Sequence, residues 1–204
     1  VTAPDPAPAT GPHGPVAALV LAAGSGSRFG ATKQLAEIAG RPLVTHALDT
    51  ARAAGLWPLL LVVGHDAGRV GGVAGGDVVV VQNDEHASGQ ASSLRAGLVA
   101  AGSAGAGAVV VLLADEPGLQ AAAVAGVVSA HVAGADLVRT RYDDRPGHPV
   151  LLGRPVWSRL RDAQGDQGAR DLLTGDDVVH VEVDGPAPRD VDVPADLEAL
   201  RRAR

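Results

Sequence analysis

The sequence predicts one three-layer α/β/α domain: a mostly parallel sheet between two helical layers, with an antiparallel addition late in the chain. Three observations predict it. Short aliphatic runs alternate with stretches of helical periodicity, the pattern of successive βαβ crossovers. Most of those runs are apolar on consecutive positions, as strands buried on both faces are. No repeat or second-domain linker divides the 204 residues, a length that suits one domain with a substantial core.

The elements follow in order. Residues 1 to about 15 are rich in proline and alanine and read as a disordered tail, leaving 16–204 as the domain. Strands are predicted at Val16 to Leu21, Leu59 to Val63, Val78 to Val81, Val109 to Leu113 and Asp136 to Thr140. Helices are predicted at Pro42 to Ala54, Ala91 to Ala101 and Leu119 to Ala133, with Pro42 in a first turn and Gly55 and Gly134 at helix ends. After Arg139 the pattern changes. Tyr142 to Gly147 reads as a turn leading to a further strand, His148 to Leu152, predicted antiparallel. The whole is Rossmann-like, so ligands are expected beyond the strand C-termini.

Composition narrows the chemistry. Apolar residues make up 46% of the chain but aromatic ones only 2%, so Ala, Val and Leu must fill the interior. A formal charge of −6 without any Lys/Arg run argues against nucleic acid or a membrane surface as partner. The absence of cysteine removes disulfides, thiolate metal sites and cysteine nucleophiles. No histidine pair has zinc-ligand spacing on a helix. No apolar run approaches the roughly 18 residues of a spanning helix. With no signal-peptide pattern at the start of the chain, a cytoplasmic enzyme is expected.

The most informative segment follows the first long strand: Ala22-Ala23-Gly24-Ser25-Gly26-Ser27-Arg28-Phe29-Gly30-Ala31-Thr32-Lys33. A dinucleotide fingerprint G-x-G-x-x-G would need glycine where Phe29 stands, and a P-loop would need Lys33 followed by Ser or Thr rather than Gln34. Glycines 24, 26 and 30 instead allow positive φ and a nest of inward N–H groups. Arg28 and Lys33 add a planar and a point cation. Two cations beside one nest suit a polyphosphate during transfer.

The run Leu21 to Lys33, with Gln34-Leu35 and Gly40-Arg41-Pro42-Leu43, resembles the signature of the MobA-like nucleotidyltransferases, which include the molybdenum-cofactor cytidylyl- and guanylyltransferases. The resemblance extends from about Val16 to Leu200 and is closest to the cytidylyltransferase branch. Ala23, where guanine-handling relatives tend to carry glycine, points to CTP.

The resemblance also distributes roles. Leu113-Ala114-Asp115-Glu116-Pro117 is similar to the family's Leu-x-Gly-Asp-x-Pro, which implies Asp115 as a Mg²⁺ ligand; Ala114 and Glu116 depart from the common Gly and Gln or Met. One or two carboxylates plus phosphate and water are what Mg²⁺ takes. An Asp in this place could also cap the helix near Leu119. Glu116 reads as a neighbour that faces solvent. Asp190-Val191-Asp192-Val193-Pro194 resembles the family's Asp-Ile-Asp-Thr-Pro. Alternation puts Asp190 and Asp192 on one side of a short strand, and Asp192 is the favoured second metal ligand, with Asp190 the alternate. Asp196 is expected to help start the terminal helix.

The segment from Asn83 to Leu98 resembles the stretch Asn-x₅-Gly-x-x-Ser-Ser-Leu. It implies nucleotide binding by Gly89, Ser92 and Ser93 beside Ala22, Ala23, Gly24 and Gly26, although serines at a helix start also serve as ordinary caps. Gly147-His148-Pro149 and Gly165-Asp166-Gln167-Gly168-Ala169-Arg170 resemble stretches of the half that takes the second substrate, so His148, Asp166 and Arg170 are expected at the acceptor. His65 is read as a surface residue.

The implied activity is Mg²⁺-dependent transfer of a nucleoside monophosphate, CMP from CTP, to a phosphorylated acceptor such as molybdopterin. Arg28, Lys33 and Asp115 are the catalytic set, and a molybdoenzyme or chaperone is a conceivable partner. Two rivals stand beside it: an NAD(P)H-dependent oxidoreductase of the same group acting on a pigment-like aromatic substrate, and a non-catalytic nucleotide-binding module.

Overall fold

The computed structural model describes residues 8–160 and 172–202. The chain begins with a short hairpin, β1 (Thr10–Gly11) against the start of β2 (Gly14–Ala22). A small ribbon of β3 (Glu37–Ile38) and β4 (Arg41–Pro42) leads into α1 (Leu43–Ala53). Then follow β5 (Leu59–Val63), α2 (Ala67–Gly72), β6 (Val78–Gln82), α3 (Gln90–Ser103), β7 (Ala108–Leu113) and α4 (Ala121–Val132). The chain continues through β8 (Leu137–Arg141), β9 (Pro146–Gly153), β10 (Val179–Glu182) and α5 (Pro194–Arg202). The main sheet runs β10-β8-β9-β7-β2-β5-β6. All neighbours along it are parallel except β9, which is antiparallel to both β7 and β8. The expected fold class, including the antiparallel addition, is the observed one.

Alternation along β2 makes the two cores. Val16, Ala18, Val20 and Ala22 face α1, α2 and α4 through Leu48, Ala51, Val70 and Val124. Ala17, Leu19 and Leu21 face α3 through Leu94, Leu98 and Ala101. With few aromatic residues to span gaps, helix and sheet approach closely. At Gly97 an added Cβ would run into the Leu19 side chain, so glycine sets the spacing of α3 over β2. A third, smaller cluster of Ile38, Leu43, Val191 and Leu197 docks α5 on the β3–β4 ribbon. Among the described residues no helix is long and apolar enough to cross a membrane.

Three expectations are corrected. The hairpin and the bonds Ala9 N–H to Gly55 O (2.8 Å) and Val16 N–H to Ala9 O (2.9 Å) bring order to residues 9–15, which composition assigned to the tail. The valines of β6 are not buried on both faces: β6 is the sheet edge, and Val79 and Val80 are exposed. Pro42 lies one residue before α1, in the cap position with ψ 142°, rather than within its first turn.

Candidate active site

The sheet order reverses between β2 and β7, whose next neighbours lead away in opposite directions, and a crevice opens beyond their C-terminal ends. Leu21 pairs with Leu113 there, and Ala114 N–H donates to Leu21 O at 3.1 Å. The glycine-rich loop and Asp115 therefore start from adjacent positions. Two cavities meet at this edge and share Leu21, Gly24, Lys33, Gln90, Leu113 and Asp115. One, of about 480 Å³, lies under the loop and the start of α3. The other, of about 660 Å³, extends over β7, β9 and β8.

The loop is shaped by glycine at two of the three predicted positions. Gly26 (φ 61°) and Gly30 (φ 77°) adopt the left-handed region, and Phe29 and Gly30 N–H groups both close on Gly26 O. An added Cβ at Gly26 would strike Ala31 O. Gly24 does not have positive φ, which corrects that part of the expectation. The loop is tied down by groups that the sequence reading did not single out. Buried Gln34 donates from Nε2 to Ala22 O (3.0 Å) and Gly24 O (2.8 Å). Thr32 Oγ1 donates to Asp66 Oδ2 at 2.6 Å, and with Arg69 it holds the Asp66 carboxyl below its ordinary range. Arg28 is exposed and lines the larger cavity.

Lys33 stands where the cavities join. Its Nζ donates to Asp115 Oδ2 at 2.6 Å and to Asp192 Oδ1 at 3.0 Å. Burial works against this charge, but Asp115 and then Asp192 outweigh it, so the ammonium is held above its ordinary range. The two carboxylates converge on one ammonium, from the end of β7 and from the segment before α5. Among the described residues no group of three or more acidic or histidine side chains is placed to hold a metal ion.

Asp190 and Asp192 do not project from a strand, as alternation implied; residues 190–193 have no regular structure. Val191 is buried and its N–H donates to Asp115 O at 3.0 Å, and Asp192 is exposed beside Lys33. Asp190 is drawn toward Glu116, and burial followed by the Glu116 charge pushes its carboxyl up to about 6. Asp196 behaves as expected: its Oδ2 accepts the Asp192 and Val193 N–H groups at 3.0 and 2.9 Å, at the start of α5.

Gly89 (φ 111°) turns the chain into α3 and lines the smaller cavity with Ala22, Ala23, Gly24 and Ser93. Ser92 does not line it. Both serine hydroxyls accept from Asn83 Nδ2, at 2.9 and 3.0 Å, and Ser92 Oγ also lies within hydrogen-bond reach of Glu85 O and Gly89 O. Ser92 does not cap α3 either: the cap position is Gly89 and no side chain bonds there, so the Ser92 hydroxyl ties the Asn83–Gly89 turn to the first turn of the helix. His86, not singled out in sequence, lines this cavity and stacks on His65, which is exposed as predicted.

The larger cavity is built from side chains. β9 bulges: Arg139 pairs with Val150 and Thr140 with Gly147, so His148 and Pro149 have no partner in β8. Tyr142 OH serves His148 O at 2.6 Å, and Thr140 Oγ1 serves Pro149 O at 2.8 Å. Glu116, expected in solvent, is instead 6% exposed, with Oε1 3.1 Å from His148 Nδ1. Burial, with Glu116 nearby, pushes the Tyr142 hydroxyl up to about 12. Asp166 and Arg170 lie outside the described residues.

Comparison with known proteins agrees with this geometry. The profile of the MobA-like NTP transferase domain matches residues 18–182. The crystal structure of Rv0371c from Mycobacterium tuberculosis H37Rv is 31% identical, with a TM-score of 0.84 over 95% of this chain and 99% of that one. Its manganese complex is 30% identical, with a TM-score of 0.78 over 93% and 99%. Among curated proteins, the bifunctional IPC transferase and DIPP synthase of Rubrobacter xylanophilus is 32% identical over 92% of this chain and 51% of its own length. The bifunctional protein GlmU of Pelobacter propionicus is 40% identical over 50% of this chain and 23% of its own length. The chain thus spans about half or less of these curated relatives. The full-length structural match, the family profile and the loop-and-carboxylate crevice agree: this chain belongs to the MobA-like NTP transferase family.

Proposed function

We propose that the chain transfers a nucleoside monophosphate, CMP from CTP in the first instance, to a small phosphorylated acceptor such as molybdopterin, releasing pyrophosphate. The observation that carries this reading is Lys33 Nζ held between Asp115 and Asp192 where the two cavities join. The smaller cavity has a nucleotide-sized volume of about 480 Å³ and the lining expected of a nucleotide site: backbone of the loop, Gly89 and Ser93. The larger cavity would receive the acceptor.

In this scheme an oxygen of the acceptor phosphate attacks the α-phosphorus. The bond to the bridging oxygen breaks, and its electron pair leaves with pyrophosphate. The attacking phosphate is already ionised, so no strong base is required. Lys33, Arg28 and the loop amides stabilise charge on the departing phosphates. Asp115 and Asp192 would hold Mg²⁺, which when bound neutralises phosphate charge and orients the α-phosphate. Lys33, beside both carboxylates, is placed to meet phosphate charge at the same point. The manganese complex of Rv0371c, 30% identical to this chain, supports a divalent ion in this family.

A pyrophosphate-release assay over CTP, GTP, ATP and UTP, with Mg²⁺ and molybdopterin, tests the reading. Turnover is expected, greatest with CTP. Nucleotide binding without pyrophosphate release would assign a non-catalytic module instead.

A further inference from the structure

The imidazole of His148 is fixed from several directions, and one ring nitrogen is left over. The bulge in β9 takes His148 and Pro149 out of the ladder with β8, and Tyr142 and Thr140 hydroxyls satisfy the two carbonyls so released. These contacts hold the backbone under the ring. The ring itself is held by Glu116, whose Oε1 lies 3.1 Å from Nδ1. A carboxylate oxygen at this distance is the natural acceptor for a ring N–H, so the contact favours the tautomer that carries its proton on Nδ1. A carboxylate 6% exposed is a costly group to bury in a cavity wall where a buried apolar side chain would suffice for packing. Nε2 has no hydrogen-bond partner among the described residues, and the His148 side chain is 24% exposed in the wall of the larger cavity. Lys33, Asp115 and Asp192 line the same cavity.

We propose that Glu116 is a positioning residue that holds His148 as its Nδ1–H tautomer, and that His148 Nε2 accepts a hydrogen bond from the second substrate. The second substrate therefore presents an O–H or N–H donor, as a hydroxylated or heterocyclic N–H-bearing acceptor does, in addition to its attacking group. The substrate half of this proposal rests on the nucleotidyl-transfer reading; the tautomer half does not. A fixed tautomer is the usual consequence of a carboxylate on one ring nitrogen, and it gives the other nitrogen a defined role.

The test uses ¹⁵N NMR of histidine-labelled protein at a pH of about 8, where an ordinary imidazole is neutral. The His148 signals are identified by their loss in His148→Gln. The wild type should show a protonated Nδ1 and a bare Nε2. Glu116→Gln should keep this pattern, because its amide oxygen still accepts, and Glu116→Leu should lose it. A wild-type ring protonated on Nε2, or a tautomer indifferent to Glu116→Leu, would overturn the positioning role even if a variant folds poorly. With an acceptor that supports turnover, Glu116→Leu and His148→Phe should raise its KM about tenfold, the size of one hydrogen bond. Glu116→Gln should restore it, and the KM for nucleotide should stay within about twofold throughout. Equal changes in both KM values would overturn the substrate-reading role. Absence of pyrophosphate release with every acceptor would instead strike the function reading, while the NMR result stands by itself.

Discussion

The two halves of the crevice are made differently. The half under the glycine loop is lined mainly by backbone and small residues, with His86 and Gln90 among the larger ones, and Lys33 is its cation. Its shape comes from Gly26, Gly30 and Gly89 in conformations that other residues resist, and from Gln34 stapling the loop to the end of β2. The half over β7, β9 and β8 is made of long side chains, among them Glu116, Arg139, Arg145, His148 and Asp190. Parallel strands joined by tight loops can present amides at one edge. An antiparallel strand inserted beside them brings in a bulge and side chains instead. The first half is thus suited to a ligand common to a whole family, and the second can be changed residue by residue for a particular acceptor.

That contrast can be broken or sharpened by substitution. The largest effect is expected at the junction: Lys33→Ala should lower pyrophosphate release by about a hundred- to a thousandfold, the scale of removing one transition-state charge donor. An undiminished rate would separate the junction from the chemistry. Next comes the packing of α3, which carries part of the backbone-built half, on the sheet. Gly97→Val forces a branched side chain against Leu19 and should cost about 1–3 kcal/mol in denaturant unfolding. A neutral result would mean that α3 is free to move off β2. Behind the start of α3, Asn83→Ala leaves the Glu85 N–H and the serine hydroxyls short of their partner and should cost about 1–3 kcal/mol.

The smallest effect lies in the side-chain-built half. Tyr142→Phe removes one hydrogen bond to His148 O and should cost about 1 kcal/mol near neutral pH. Its pH dependence has a definite sign. The folded hydroxyl titrates near 12 rather than 10.0, so the folded state favours the protonated form. That contribution is present below about pH 10 and is lost as pH rises toward about 12, so the wild type should lose stability across this window and the Phe variant should not. Parallel melting curves for the two proteins would remove the hydroxyl from the account.

The same contrast explains what the sequence made legible. β5, β7 and β2 from Val16 onward could be read because they are apolar at every position, and Lys33 and Asp115 because both follow the ends of neighbouring strands. β6 has the same valine-rich composition, yet it is an edge strand. Exposure there depends on which strand lies outermost, and composition carries no record of that. Glu116 reads as solvent-facing in the sequence because its partners are at 148 and 190, brought together only by the folded chain. Alternation failed for Asp190 and Asp192 because the segment docks Val191 between them without joining a sheet. The bulge does have a signal in the sequence: Pro149 lies within an apolar strand run, and a proline in a central strand demands a bulge.

The most direct test of the account is the rate of pyrophosphate release from CTP by Asp115→Asn, in Mg²⁺ and with a competent acceptor, measured beside its melting midpoint. The substitution keeps the size of the side chain and removes one of the two carboxylates around Lys33 Nζ. The account predicts a loss of about a hundredfold or more with the fold intact. Full turnover in a folded Asp115→Asn protein would contradict it.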